Sequence, residues 1–313
     1  WIAIREYIFC KSKNSNGMIS PVGGFSWGRI ISSSIYKNKN LLTSAFFSTG
    51  KVNDIVTTEV DEKDAVATMV FNRPPVNSLS LEMCQTISQN LKHIENNHPH
   101  IQSLLLKSSN PNIFSAGIAI EELHNPDPHR LAQFWTSFQQ LFIDLYTSRL
   151  AVIAVIQGHA IAGGCLIAMC ADYRVMISKK TATIGLSETK LGISAPLWMA
   201  DLMVRTVGTR EAEKGLCLGL LYVPGQAMGI GLVDEVVEEK KMEERAREVA
   251  MMWTGIPPEA RVKSKMDCRM RYVEDLERSR KDDLDSFCEF VLREGVQRNL
   301  GLYIEKLKTK KAS

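Results

Sequence analysis

Two short glycine-containing stretches and one glutamate are the part of this sequence with the clearest chemical potential. The stretches are Phe114–Ile118, which reads FSAGI, and Ile161–Cys165, which reads IAGGC. In each, glycine lies where a predicted strand runs into a predicted helix, so backbone N–H groups can approach a ligand without a Cβ in the way. Two such donors aimed at one point form an oxyanion hole, which stabilises negative charge developing on a carbonyl oxygen.

Glu188 is the candidate base. It lies in Ile184–Ile193, which reads IGLSETKLGI, and an apolar setting raises a carboxyl pKa toward the pH at which it must accept a proton. An oxyanion hole with one tuned carboxylate indicates proton abstraction next to a carbonyl. A simpler interpretation also fits each part taken alone, because glycines often only permit tight turns and glutamates are mostly exposed, here beside Lys190.

Strands and helices that would position these residues alternate along the chain. Ser80 is a plausible N-cap for a helix in which apolar residues recur at helical spacing, and residues 163–171 are apolar on every face, as in a buried helix. Residues 157–162 are predicted to form a turn. The predicted strands are 65–71, 103–107, 151–156 and 173–177, and the predicted helices begin near Ser80, Leu131, Gly163, Met242, Pro258 and Val273.

This alternation predicts an α/β fold over residues 51–237. Residues 238–313 are predicted to be helical and highly charged, with helices at Met242–Trp253, Pro258–Arg271 and Val273–Leu307. These helices have too little apolar surface for a core of their own.

Residues 1–50 differ in composition from the rest of the chain. They carry a charge of +5 with a single acid, Glu6, and nine serines, whereas residues 51–313 carry −2. This composition is typical of a mitochondrial transit peptide, although a disordered tail with no targeting role also fits it. We expect this leader to be disordered and the protein to reach the mitochondrial matrix. The chain begins with Trp1, which is typical of a translated fragment.

Several classes of protein are disfavoured by composition. The seven cysteines are scattered and never form a CxxC pair, and the six histidines show no metal-ligand spacing, so we expect neither a disulfide framework nor a metal. The apolar run from Ala160 to Ala171 is too short to span a membrane. The charge of the body predicts no nucleic-acid partner.

Five motifs in order resemble the crotonase (enoyl-CoA hydratase/isomerase) superfamily, most closely its mitochondrial double-bond isomerases. The resemblance covers roughly residues 54–310, nearly everything after the leader. The motifs are Phe71–Leu79 (FNRPPVNSL), the two glycine stretches, the Glu188 segment and Gly231–Val237 (GLVDEVV).

The resemblance implies a fold and a set of site residues. The fold would be a crotonase-like spiral of ββα turns with a C-terminal helical region that builds a homotrimer or a dimer of trimers. Glu188 would be the catalytic base, and the N–H groups of Ile118 and Gly163 would form the oxyanion hole. The residues implied to bind the substrate around the thioester are Ala116, Gly117, Ala119, Ile120 and Gly164. Coenzyme A would be part of the substrate, with no separate cofactor.

Leu166 distinguishes two reactions within this family. Family hydratases carry a second glutamate at this position, because adding water across a double bond uses two carboxylates. An isomerase needs one base, which moves a proton from C2 to C4. The resemblance therefore implies conversion of 3-cis- or 3-trans-enoyl-CoA to 2-trans-enoyl-CoA in β-oxidation. The alternatives are a hydratase or acyl-CoA hydrolase of the same fold, and a non-catalytic RNA-binding relative.

Other positions are less informative. The family often has aspartate where this chain has Ala119, and we expect that position to be structural. Glu121 and Glu122 are predicted to form a solvated first helical turn, and His159 a loop histidine without a catalytic role. The resemblance implies that residues 73–76 border the nucleotide. Lys306 and Lys308 either meet phosphates of a neighbouring subunit's ligand or form a solvated helix end.

Overall fold

The computed structural model describes residues 55–312, with side chains to residue 309. The predicted leader, residues 1–50, and its boundary at residue 51 lie outside the described residues. The division at residue 238 into a core and a helical region stays a prediction.

The strands form two sheets. The larger sheet has the order β1-β2-β3-β5-β7-β9 and the smaller one β4-β6-β8, and every pairing except β1 with β2 is parallel. The strands are β1 (Val56–Asp61), β2 (Val66–Phe71), β3 (Ser103–Ser108), β4 (Ile113–Ser115), β5 (Ala151–Ile156), β6 (His159–Ile161), β7 (Tyr173–Ile177), β8 (Ile184–Gly185) and β9 (Glu235–Val237).

Three consecutive strand pairs follow one pattern. In β3-β4, β5-β6 and β7-β8, the first strand joins the larger sheet, the second joins the smaller sheet, and helical structure follows. Residues 151–156, AVIAVI, are all buried because β5 lies between β3 and β7 in the larger sheet. This repeated ββα unit is the spiral expected from the sequence, and the α/β fold class is confirmed.

The helices begin at recognisable signals. Ser80 caps α1, and its Oγ accepts a hydrogen bond from the Met83 N–H at 3.3 Å, as predicted. Asp127 caps α2 through the Arg130 N–H at 2.8 Å. The α-helices are α1 (Leu81–Asn97), α2 (Pro128–Tyr146), α3 (Gly163–Cys170), α4 (Leu197–Val207), α5 (Thr209–Leu218), α6 (Pro224–Gly229), α7 (Met242–Thr254), α8 (Pro258–Val291) and α9 (Glu294–Ala312).

Three sequence predictions of local structure were wrong. Residues 157–162 are not simply a turn, because they contain β6, which pairs with β4 and β8 on either side. The predicted helix Val273–Leu307 is two helices, since α8 ends at Val291 and α9 begins at Glu294. The predicted break between Arg271 and Val273 is absent, and α8 runs through it. After Pro258 this helix contains no glycine or proline, and Tyr272 and Val273 are buried in it, so nothing interrupts the helix there.

The C-terminal helices share the core of the α/β part. Phe287 of α8 stacks on Trp135 of α2 with ring centroids 3.3 Å apart, and Asp283 accepts a hydrogen bond from the Trp135 Nε1–H at 2.8 Å. Buried residues of α7 and α8 lie in the same apolar cluster as the strands. From residue 55 to 312, no helix is both long and apolar enough to cross a membrane.

Candidate active site

The smaller sheet brings the three chemically interesting segments to one edge. Its strands are parallel, with Ser115 of β4 opposite Ala160 of β6 and Ile161 of β6 opposite Gly185 of β8. Because parallel strands end at a common edge, the residues that follow them emerge side by side. These residues are the first glycine stretch after β4, the second after β6 and Glu188 after β8.

In the first glycine stretch, most backbone N–H groups are used internally. The Ala116 N–H donates to the Val76 carbonyl at 3.0 Å and the Ala119 N–H to the Leu79 carbonyl at 2.9 Å. The Gly117 N–H donates to the Ser115 Oγ at 3.2 Å. Within residues 55–312, the Ile118 N–H has no protein acceptor, so it is the donor of this stretch that remains available to a ligand.

The second glycine stretch begins α3. Gly163 is the first residue of this helix, so its N–H has no intrahelical acceptor and lies at the positive end of the helix dipole. A Cβ built on Gly163 would lie 3.4 Å from the Ile118 nitrogen, and one on Gly117 would lie 2.9 Å from the Gly163 nitrogen. The two free donors are therefore neighbours, and glycine is required for the backbones to come this close.

The backbone conformation here is unusual. Gly117 has φ +89°, in the left-handed region that favours glycine. Ala162, which precedes α3, has φ +53° although it carries a Cβ. Such conformations persist where the surrounding structure imposes them, and they are typical of ligand sites.

Glu188 begins a short 3-10 helix, Glu188–Leu191, directly after β8. Its Oε2 is closed off from solvent and has no hydrogen-bond partner within the described part of the chain. Burial raises the pKa of the Glu188 carboxyl to about 7, while a hydrogen bond from its own backbone N–H acts in the opposite direction. A carboxylate in this state is a base matched to neutral pH.

Apolar side chains and the start of α3 surround Glu188. Leu186 and Ile193, on either side of it in the sequence, are both buried. Burial raises the pKa of the Cys165 thiol in the first turn of α3, and the charge of Glu188 adds to the rise. Leu166, the next residue, is 1% exposed. A buried apolar side chain therefore occupies the position at which the resemblance implies a second glutamate in hydratases.

The residues after Ile118 lead through a short 3-10 helix toward α2. Ala119 is 1% exposed and precedes a 3-10 helix, Ile120–Glu122, which fits the structural role expected for it. Ile120 is half-buried and Gly164 is buried. A Cβ on Gly164 would lie 2.3 Å from the Ser115 carbonyl oxygen, so this glycine is needed for packing between the two stretches whatever it contacts in a substrate.

The prediction of a solvated Glu122 was wrong. This side chain is 3% exposed, its Oε1 accepts a hydrogen bond from the Leu81 N–H at 3.0 Å, and it pairs with Arg130 at 2.7 Å. The 3-10 helix turns Glu122 inward, where it satisfies a free N–H at the start of α1 and a cation of α2. Glu121 is exposed, as expected.

The remaining residues singled out in the sequence lie on other elements of the structure. His159 belongs to β6 instead of a loop, and its Nδ1 lies 2.9 Å from the Thr183 Oγ1. Lys306 and Lys308 are exposed on α9. α9 packs on the Glu188 segment, a contact that the sequence did not predict: a Cβ on Gly192 would lie 2.5 Å from the Asn299 Nδ2. Contacts of this kind between distant segments leave no local pattern in a sequence.

Two adjacent backbone N–H donors beside a carboxyl group of raised pKa define a class of enzyme site. The donors can hold an oxygen that becomes negative, and the carboxylate can remove a proton from the carbon next to it. Such a site is suited to chemistry that passes through an enolate.

Comparison with known proteins identifies the family. The enoyl-CoA hydratase/isomerase family model matches residues 61–311, and the chain belongs to this family. The mitochondrial enoyl-CoA delta isomerase 1 of Mus musculus is 41% identical over 83% of this chain and 89% of its own length. The Homo sapiens enzyme of that name is 38% identical over 82% and 84%. The crystal structure of human mitochondrial delta3-delta2-enoyl-CoA isomerase superimposes with a TM-score of 0.81 at 38% identity, covering 82% of this chain and 99% of that chain.

Proposed function

We propose that this protein is a Δ3-Δ2-enoyl-CoA isomerase that converts 3-cis- or 3-trans-enoyl-CoA to 2-trans-enoyl-CoA in the β-oxidation of unsaturated fatty acids. The observation that carries the proposal is Glu188, whose Oε2 has no hydrogen-bond partner among the described residues and whose segment shares a sheet edge with the Ile118 and Gly163 N–H groups. Relatives that are 38% and 41% identical over more than four-fifths of the chain are named enoyl-CoA delta isomerase 1.

The reaction follows from these three groups. The thioester oxygen accepts hydrogen bonds from the Ile118 and Gly163 N–H groups, which makes the C2 proton more acidic. The Glu188 carboxylate takes that proton, and the electron pair left on C2 spreads through the C3=C4 bond and the carbonyl to form a dienolate. The protonated Glu188 then returns the proton to C4, which leaves the double bond between C2 and C3. One carboxylate removes the proton and returns it, so the reaction needs no separate cofactor.

The hydratase alternative is disfavoured at Leu166. Water addition to a 2-enoyl-CoA needs a group that holds and deprotonates water in addition to the base that exchanges the C2 proton. Leu166 is buried and has no polar atom in its side chain, so it can do neither. The function therefore rests on one carboxylate acting at two carbons.

The direct test supplies each substrate separately to the purified protein. With 3-hexenoyl-CoA we expect a product of unchanged mass and altered retention that matches 2-trans-hexenoyl-CoA. With 2-trans-hexenoyl-CoA we expect no gain of 18 mass units, the mass of one water. Rapid water addition to the 2-enoyl substrate would contradict the proposal.

Location, assembly and coenzyme A contacts are parts of the same proposal. The mitochondrial relatives and the basic, serine-rich residues 1–50 support a place in the mitochondrial matrix. A homotrimer or dimer of trimers would bury exposed apolar side chains such as Leu292 and Leu302. Residues 73–76 are proposed to border the nucleotide, and Lys306 and Lys308 of α9 to meet phosphates of a neighbouring subunit's ligand.

The leader can be tested separately from catalysis. A chain starting at Lys51 should isomerise 3-enoyl-CoA as fast as the full chain but fail to enter isolated mitochondria. Import of the shortened chain would contradict the targeting role, and loss of its folding would contradict the expectation that residues 1–50 are dispensable.

A further inference from the structure

Ser115 makes contacts that the roles of Glu188, Ile118 and Gly163 do not explain. It is the last residue of β4 and is fully buried. Its hydroxyl donates a hydrogen bond to the Asn77 carbonyl at 2.8 Å and accepts one from the Gly117 N–H at 3.2 Å. One hydroxyl therefore ties the first glycine stretch to the segment that runs beside it.

The Gly117 contact bears directly on the oxyanion donor. Because the Ser115 hydroxyl takes up the Gly117 N–H, the Ala116–Gly117 peptide group is held in place, directly before the peptide group that carries the Ile118 N–H. The Leu79 N–H fixes the other side of the same stretch by donating to the Gly117 carbonyl at 2.8 Å. The Ile118 N–H is thus left free by bonds that restrain both peptide groups of Gly117.

Ser115 also packs against the second donor's helix. A Cβ on Gly164 would lie 2.3 Å from the Ser115 carbonyl oxygen and 3.0 Å from its Cβ. The backbone of Ser115 thus lies directly against the first turn of α3, which carries the Gly163 N–H. The same residue contacts both halves of the oxyanion hole, one through its hydroxyl and the other through its backbone.

The acceptor of the Ser115 hydroxyl is itself rigid. Asn77 is 2% exposed and has φ +50°. Its Nδ2 donates to the Ser108 Oγ at 2.7 Å and to the Phe114 carbonyl at 3.2 Å, and its Oδ1 accepts from the Arg73 N–H at 2.8 Å. The carbonyl to which Ser115 donates is therefore anchored at several points.

We propose that Ser115 is a positioning residue that sets the spacing of the Ile118 and Gly163 N–H groups for the enolate oxygen. The inference rests on the proposed function, because it concerns the same oxyanion hole. Ser115 contacts no substrate atom in this role. It acts through the Gly117 peptide group and through its contact with α3.

The test compares Ser115→Ala and Ser115→Cys with a matched control, Ser103→Ala. Alanine keeps the Cβ that packs on Gly164 but removes the hydroxyl, and cysteine restores a weaker acceptor of similar size. Ser103 is equally buried, and its Oγ donates to the Ala250 carbonyl at 3.1 Å, but it lies on β3 outside the oxyanion hole. Thermal unfolding checks that each variant is folded.

Two readouts separate positioning from general structure. The first is kcat and KM for 3-hexenoyl-CoA. The second is binding of acetoacetyl-CoA, whose enolate absorbs in the near ultraviolet, compared with binding of the saturated hexanoyl-CoA. An enolate oxygen needs both donors at the correct spacing, whereas the saturated thioester depends on them far less.

For Ser115→Ala we expect kcat to fall about ten- to a hundredfold with KM little changed, since small displacements of aligned groups have effects of this size. The bound enolate fraction should fall while hexanoyl-CoA affinity is retained, Ser115→Cys should be intermediate, and Ser103→Ala should match the parent in both readouts. Parental kcat and enolate binding in a folded Ser115→Ala variant would overturn the proposal. Failure of the parent itself to isomerise 3-hexenoyl-CoA would instead overturn the proposed function, so the two failures are distinguishable.

Discussion

The Glu188 carboxylate and the Asp172 carboxylate are both shielded from solvent, but their surroundings are opposite. Glu188 Oε2 has no partner in the described chain. Asp172, whose side chain is 5% exposed, lies 2.6 Å from the Lys265 Nζ and 2.9 Å from the Arg269 Nη2, and it accepts a hydrogen bond from the Val152 N–H at 2.8 Å.

The Asp172 cluster joins the C-terminal helices to the sheets. Lys265 and Arg269 lie one turn apart on α8, while Asp172 begins the segment that becomes β7. Burial lowers the pKa of the Lys265 ammonium to about 8, and the nearby Asp172 charge opposes that fall. The Lys265 Nζ also donates to the Leu150 carbonyl at 2.9 Å.

The two carboxylates therefore have different roles, Glu188 in the reaction and Asp172 in holding the fold together. The Asp172 carboxylate pairs with two cations and a backbone N–H, so its contacts join elements of the fold. The Glu188 carboxyl, whose Oε2 has no hydrogen-bond partner among the described residues, accepts a proton near neutral pH and remains free to move it.

The largest effect should come from Glu188→Gln, which keeps the shape of the side chain but removes the base. We expect kcat for 3-hexenoyl-CoA to fall at least about a hundredfold with substrate binding little changed. In the parent, kcat/KM should decline as the pH falls below about 7, because the raised pKa leaves Glu188 protonated there. A steady-state assay across pH measures both.

The matched control is Glu244→Gln, at an exposed glutamate of α7, which should retain the parental rate. Label placed at C2 of the substrate should also reappear in part at C4, to the extent that exchange with water is slower than the second transfer. Near-parental turnover in Glu188→Gln would mean that another group carries the proton.

Asp172→Asn should have the next largest effect, on stability instead of catalysis. It leaves the Lys265 and Arg269 charges buried without their counter-ion, which lowers the free energy of unfolding by about 3–5 kcal/mol. Denaturant unfolding monitored by circular dichroism measures this change. The control is Asp267→Asn, whose exposed pair with Lys263 on the same helix spans 2.6 Å and should contribute little. Equal losses in the two variants would contradict a special role for the buried cluster.

A smaller effect should appear in the stability of Glu188→Gln. The folded-state pKa of Glu188 is about 7 against an ordinary 4.5, so between these pH values the folded parent binds more protons than the unfolded chain. The parent therefore loses stability as the pH rises through this window, and glutamine does not. We expect the variant to be more stable at pH 8 by at most about 3 kcal/mol and the difference to disappear near pH 4. A difference independent of pH would show that Glu188 is not desolvated.

The smallest effect should come from Leu166→Glu, which supplies the second carboxylate that a hydratase uses. We expect trace water addition to 2-trans-hexenoyl-CoA, because a misplacement of about 1 Å is enough to make such a group inefficient. Mass analysis of the product measures it, with Leu166→Gln as an uncharged control of the same size. Equal water addition by both variants would show that the introduced carboxylate is not what permits hydration.

Local signals predicted much of this fold because they depend on neighbours in sequence. The apolar run at β5 and the Ser80 cap of α1 were both placed correctly for this reason. The length of α8 was predicted wrongly. No local signal ends a helix at Arg271, and the burial of Tyr272 and Val273, which continues the helix, depends on packing against other helices. Glu122 was misplaced for the same reason, because its partners Leu81 and Arg130 come from two different helices.

The sequence by itself determined the chemical groups of the candidate site, namely glycines at two strand ends and a glutamate among apolar residues. Only the tertiary structure decided which backbone N–H groups stay free and how near Ile118 and Gly163 lie. It also decided that Glu188 Oε2 has no partner within residues 55–312, whereas Asp172 has several. The physical reason is that the type of residue at the end of a strand is a property of the local sequence. Its solvation and hydrogen-bond partners are set by the parallel pairing of β4, β6 and β8, which brings together segments about 70 residues apart in the chain.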